Sequence, residues 1–121
     1  MSERDEQVAL FDWAKLKRNQ DYRYGYLVAN PMQGGRGKDN IIRGQLRKRE
    51  GAAKGFPDIM LLYPCGQYCG LFIELKVRGG SLSPEQRWWL NALNDVGYST
   101  AVCVGFEEAK DVIETYLALE D

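Results

Sequence analysis

Apolar and polar residues alternate strictly from Leu71 to Val77, so Leu71, Ile73, Leu75 and Val77 fall on one side of an extended chain and Phe72, Glu74 and Lys76 on the other. Just upstream, Ile59 to Leu62 is a short apolar run and Pro64-Cys65-Gly66-Gln67 carries turn residues. The pattern predicts a buried strand, a turn and a half-buried strand. Folding this hairpin about Gly66 sets residues whose numbers sum to roughly 132 across from one another, which brings Asp58 opposite Glu74 with side-chain carbons about 5 Å apart.

The remaining pattern supplies the layers. A helix is predicted from Ser2 to Asn19, with Leu10, Phe11, Trp13 and Ala14 on one apolar arc. An aromatic-rich strand follows from Tyr22 to Ala29 and leaves the sheet at Pro31, which cannot continue a central ladder. A short helix from Asn40 to Glu50 precedes the hairpin. Ser83-Pro84-Glu85-Gln86 is a helix start, with Ser83 as cap and Pro84 in the first helical position, and that helix stops at Gly97. A last strand from Tyr98 to Val104 and a last helix from Phe106 to Leu119 complete an α/β sandwich in which helices flank a mixed sheet.

Length fits one domain spanning all 121 residues. Hydrophobic residues at 45% and charged residues at 27% are ordinary for a globular chain, no apolar run is long enough to span a membrane, and no secretion signal is visible, so a cytoplasmic location is expected. Cys65, Cys69 and Cys103 lack metal-ligand spacing and are expected to be reduced structural thiols. The absence of histidine excludes serine or cysteine triads built on imidazole, and His-metal nuclease sites.

A net charge of −1 conceals a strong polarity along the chain. Between Arg36 and Lys54 stand seven basic residues, Arg36, Lys38, Arg43, Arg47, Lys48, Arg49 and Lys54, against Asp39 and Glu50. From Glu107 onward six acidic residues face Lys110 alone. A basic segment beside a carboxylate cluster suits phosphate binding, although a solvated helix face would give the same composition. The stretch Met32 to Asp39 superficially suggests a phosphate-binding P-loop, but Met32 stands where the first glycine belongs and Asp39 where the Ser/Thr belongs. No nucleotide cofactor is expected, and a basic loop following a nucleic-acid backbone fits better.

Asp58, Glu74 and Lys76 thus share one small patch. Two carboxylates so close repel one another unless a cation lies between them, and magnesium is commonly held by one or two carboxylates together with substrate phosphate oxygens. Lys76 would then orient a water or neutralise charge growing on phosphate. The alternative is that Glu74 and Lys76 are the solvated face of an edge strand.

Three blocks, Lys54-Gly55-Phe56-Pro57-Asp58, Ile73-Glu74-Leu75-Lys76 and Leu82-Ser83-Pro84-Glu85-Gln86, closely resemble the signature of the VRR-NUC nucleases, a branch of the PD-(D/E)xK superfamily with a restriction-endonuclease-like fold. The resemblance runs over nearly the whole chain. It implies hydrolysis of DNA phosphodiesters with Mg2+ or Mn2+, in which Asp58, Glu74 and the backbone carbonyl of Leu75 hold the metal, Lys76 is the catalytic lysine, and Gln86 holds a metal-bound water or a phosphate. In that superfamily a glutamate of the first helix often completes the metal site. Glu3 matches best by position and helical phase, Glu6 is the fallback, and helix capping is the competing explanation for both. Arg36, Lys38, Arg43, Arg47, Lys48 and Lys54 are the expected DNA contacts.

Standalone nucleases of this kind commonly work as symmetric dimers. Adjacent tryptophans cannot both face inward, so one of Trp88 and Trp89 is expected in the core and the other on a partner surface. The function expected is therefore an endodeoxyribonuclease acting on branched DNA, with the four-way (Holliday) junction favoured and a homodimer as the working form. A flap nuclease or exonuclease of the same superfamily, a noncatalytic DNA-binding subunit, and a regulatory partner protein are the alternatives.

Overall fold

The computed structural model describes residues 1–31 and 49–120. The stretch from Met32 to Asp39, expected as a basic loop, and nearly all of the helix expected from Asn40 to Glu50 lie outside them.

Helix α1 runs over Glu3–Lys17. A reciprocal capping box starts it: Asp5 N donates to Ser2 Oγ and Ser2 N to Asp5 Oδ2, each at 3.1 Å. Leu10 and Ala14 are buried, and Phe11 and Trp13 pack against the core. The aromatic run that follows is not one strand. Tyr22–Tyr26 forms a 3-10 turn and only Leu27–Ala29 is extended, as β1. Asp21 explains the difference, because its carboxylate accepts from the Arg23 backbone N–H at 3.1 Å and from the Arg23 guanidinium at 2.8 Å. That local bonding draws the backbone away from a ladder.

Strands β2 (Ile59–Leu61) and β3 (Leu71–Lys76) form the hairpin, with Ile59 paired to Ile73 and Leu61 to Leu71, in the register that alternation predicts. The turn closes with two backbone bonds between Cys65 and Tyr68, and Gly66 takes the positive φ of 56° that its place at the tip requires. Helix α2 spans Pro84–Asp95, β4 spans Ser99–Val104 and helix α3 spans Gly105–Leu117. The sheet order is β1-β2-β3-β4, antiparallel except for the parallel β3/β4 pair.

This order corrects one reading of the pattern. β3 is an interior strand buried on both faces, from Leu71 through Leu75, rather than half-buried. On one face Leu71, Ile73 and Leu75 join Leu10, Ala14, Cys103, Ala109 and Ile113 in the main core with α1 and α3. On the other, Phe72 meets Phe56 and Tyr98 edge-on, at ring distances of 5.6 and 5.1 Å, and Phe56 in turn meets Trp89 of α2. Trp89 is half-buried in this second cluster, while Trp88 is 62% exposed. The result is an α/β fold in which, among the described residues, helices lie on both sides of a mixed four-stranded sheet. Among the described residues no helix is long and apolar enough to cross a membrane.

Candidate active site

The end of the sheet where β3 and β4 finish collects the predicted chemistry. Continuing the hairpin register one residue beyond Ile59 and Ile73 brings Asp58 opposite Glu74. Asp58 is held there from two sides: its backbone carbonyl accepts from Asn30 N at 2.7 Å, and its carboxylate Oδ2 accepts from Leu75 N at 3.1 Å. The ladder between β2 and β3 ends at Ile59 and Ile73, and Pro57, the residue before Asp58, has no N–H with which to extend it toward Leu75.

Glu74 is 1% exposed, the single buried charged residue of the described chain. Its solvated edge-strand alternative is thereby excluded. Burial, first, and then the neighbouring Asp58 carboxyl, as hydrogen-bond partner and as like charge, push the Glu74 carboxyl up to about 8. Lys76 opposes this, with Nζ at 3.8 Å from Glu74 Oε2, and Glu3 adds a smaller push in the same direction as Asp58. Oε2 accepts a hydrogen bond from Gln86 Nε2 at 3.1 Å, whereas Oε1 is buried without a hydrogen-bond partner. An orphaned buried oxygen is costly and asks for a ligand.

Gln86 occupies the first turn of α2 and is engaged at both ends of its amide. Oε1 accepts from Lys76 Nζ at 3.1 Å and from Ser83 N at 2.9 Å, while Gln86 N donates to Ser83 Oγ at 3.1 Å. The helix cap and the lysine tether are therefore one hydrogen-bond set, a coupling carried in the sequence by the Ser83-x-x-Gln86 spacing. Gly55 makes the close approach of the two segments possible. It adopts a φ of 84°, and a Cβ there would lie 2.7 Å from Gln86 N and from the Glu85 backbone carbon.

The first helix contributes less directly. Glu3 is exposed at its start, and its charge is felt at Glu74. Glu6 is committed elsewhere, accepting from Phe106 N at 3.2 Å and so capping α3. Among the described residues no group of three or more His, Cys, Asp or Glu side chains is placed to hold a metal ion. The donor set on hand is the Asp58 and Glu74 pair with the Leu75 carbonyl, oxygen ligands of the kind a hard divalent ion accepts when substrate and water fill the rest. The unpartnered Glu74 Oε1 fits such an ion.

Of the predicted DNA contacts, Lys54 is exposed on the approach to Asp58, and Arg36, Lys38, Arg43, Arg47 and Lys48 lie outside the described residues. A cavity of about 320 Å³ between β4 and α3, lined by Ser99, Asp111, Val112, Thr115, Tyr116 and Leu119, contains none of the site residues. The acidic patch lies apart from that cavity.

The VRR-NUC domain model matches residues 2–107, and the chain belongs to that family. A solved structure described as a VRR_NUC domain protein superposes with a TM-score of 0.82 at 27% identity, over 100% of this chain and 92% of that one. No curated protein matches. The chain therefore carries a nuclease-type domain on a fold shared with that structural neighbour.

Proposed function

We propose that this protein is a metal-dependent endodeoxyribonuclease that hydrolyses phosphodiesters in branched DNA, with the four-way junction as preferred substrate and a homodimer as the active form. The observation that carries the metal-dependent part is the buried Glu74, forced against Asp58 with one carboxylate oxygen lacking any donor. An arrangement that unfavourable to itself is expected where a cation is to be held.

Asp58, Glu74 and the Leu75 carbonyl would hold Mg2+ or Mn2+. Such an ion supplies Lewis-acid polarisation of the phosphate and a water of lowered pKa. The Lys76 ammonium, fixed by Gln86, lies beside the carboxylates where it can neutralise charge growing on a phosphate oxygen. Lys54, exposed just before Asp58, supports phosphate attraction at the site, and the basic composition of the Arg36 to Lys48 run supports it in the chain as a whole. Trp88 supports the dimer: so large an exposed indole on a regular helix resembles an interface anchor. Twofold symmetry in the protein would then mirror the paired strands of a junction.

The test uses purified protein with linear, flapped and four-way DNA, in magnesium, manganese or chelator. Cleavage of the junction by paired cuts, lost in chelator and in Asp58→Asn and Glu74→Gln while binding persists, is the expected result. Cleavage surviving either substitution would refute the metal assignment. Preference for flaps or free ends would move the protein to the neighbouring nuclease classes, and salt-sensitive binding without any cleavage would make it a DNA-binding subunit.

A further inference from the structure

Beside the acidic patch, on the same face of the sheet, β4 presents two valines. Parallel pairing sets Val102 abreast of Glu74 and Val104 abreast of Lys76. Paired residues of neighbouring strands point to the same face, about 4.8 Å apart. Cys103, between the valines, turns to the other face and is fully buried, while Val102 and Val104 are each 43% exposed and take no part in the core. The Val104 N–H is already given to Glu108 Oε1 at 2.9 Å, so this position offers methyl groups and no donor. Position 100, on the same face but a step further from the patch and abreast of Phe72, is a threonine.

We propose that Val102 and Val104 seat the deoxyribose next to the phosphate held at Glu74 and Lys76, and that they select DNA over RNA at that nucleotide. The inference rests on the reading of the patch as a phosphodiester site. A phosphate is joined covalently to its sugars, so a phosphate beside the Lys76 ammonium places a sugar within about one strand spacing, and β4 is the neighbouring strand. The C2′ carbon of deoxyribose is a methylene that valine methyls can cover without loss. In ribose the same carbon bears a hydroxyl, which loses water where these side chains cover it and gains no partner from them. Apolar surfaces reject an added hydroxyl by roughly tenfold to a hundredfold rather than absolutely. The selection is therefore graded.

The experiment places a single ribonucleotide at successive positions across the cut site of an otherwise all-deoxy substrate. Wild type, Val102→Thr and Val104→Thr are compared by the ratio of ribose-containing to all-deoxy cleavage rates with metal, and by the same ratio of affinities in chelator. Threonine keeps the branched shape and strand preference of valine while adding a hydroxyl. The expected result is one position at which ribose costs the wild type roughly tenfold to a hundredfold, with most of that penalty removed in at least one threonine variant. An unchanged penalty in both variants, or no penalised position, overturns the proposal. Should no DNA be cut at all, the nuclease reading fails separately, and the affinity ratios decide: a ribose penalty relieved by threonine upholds the sugar seat, and flat ratios overturn it.

Discussion

Gln86 Nε2 donates to Glu74 Oε2 over 3.1 Å while its Oε1 takes the Lys76 ammonium at the same distance, so one amide fixes the spacing of an acid and a base. Gln86→Ala removes both contacts together with the reciprocal bond to Ser83 N. It is expected to lower turnover on DNA more than affinity, because Lys76 is no longer held, and to cost about 1 kcal/mol of folding stability. Single-turnover kinetics and denaturant titration check the two effects separately.

The Glu74 carboxyl gives the metal-free protein a distinctive pH response. Its folded-state value is raised to about 8, so between the ordinary carboxylate range and that value the folded protein binds a proton that the unfolded chain releases. Stability without metal is therefore expected to fall as pH rises through this window. In Glu74→Gln the slope should flatten. Thermal melts in chelator from pH 5 to 8.5 measure it, and a melt temperature independent of pH in the wild type would contradict the burial argument.

Gly55→Ala is expected to damage the site without touching a charged group. The added methyl meets the α2 backbone at 2.7 Å, and the residue would retain a positive φ. Displacing the two segments should destabilise the fold by about 1–3 kcal/mol and reduce cleavage by more than the loss of folded protein explains. Activity normalised to the folded fraction is the measurement.

Thiol chemistry should separate the cysteines. Cys69 is exposed, whereas Cys65 and Cys103 are buried, and burial pushes the Cys103 thiol up to about 12. An alkylating reagent under native conditions should label Cys69 alone, as peptide mapping would show. Labelling of Cys103 at the same rate would mean that the layer between β4 and the helices opens readily.

Trp88→Ser tests the proposed dimer. If the exposed indole anchors the twofold contact, the variant should dissociate at concentrations where the wild type is dimeric, and junction cleavage should fall while melting temperature scarcely changes. Sedimentation velocity reads the first and a paired-cut assay the second. A wild type that is monomeric throughout would remove the basis for paired cutting.

Much of this site was legible because alternation in β3 and a turn at Gly66 fix a register, and a register fixes which side chains meet. Asp58 and Glu74 needed nothing more. What period-2 patterning could not disclose was the environment of Glu74. The strand reads as half-buried, yet β4 pairs with it from a segment some thirty residues onward and α2 closes over its polar side, so the carboxylate is enclosed by residues distant in sequence. The Tyr22 to Tyr26 run misled for a local reason, the Asp21 bonds to Arg23, which outweigh aromatic strand preference. Glu6, the fallback, lies beside the start of α3, a neighbour that periodicity along α1 does not reveal.

Pro57 lies just beyond the end of the β2/β3 ladder. Sheets ordinarily saturate their own oxygens, which leaves little for a guest to grasp. With no N–H at position 57, that residue cannot extend the ladder to the Leu75 carbonyl, which belongs to the residue next to a buried Glu74 oxygen that has no hydrogen-bond partner. On the proposed metal reading, the cation would thus draw on an oxygen that belongs to the backbone as well as on the two carboxylates.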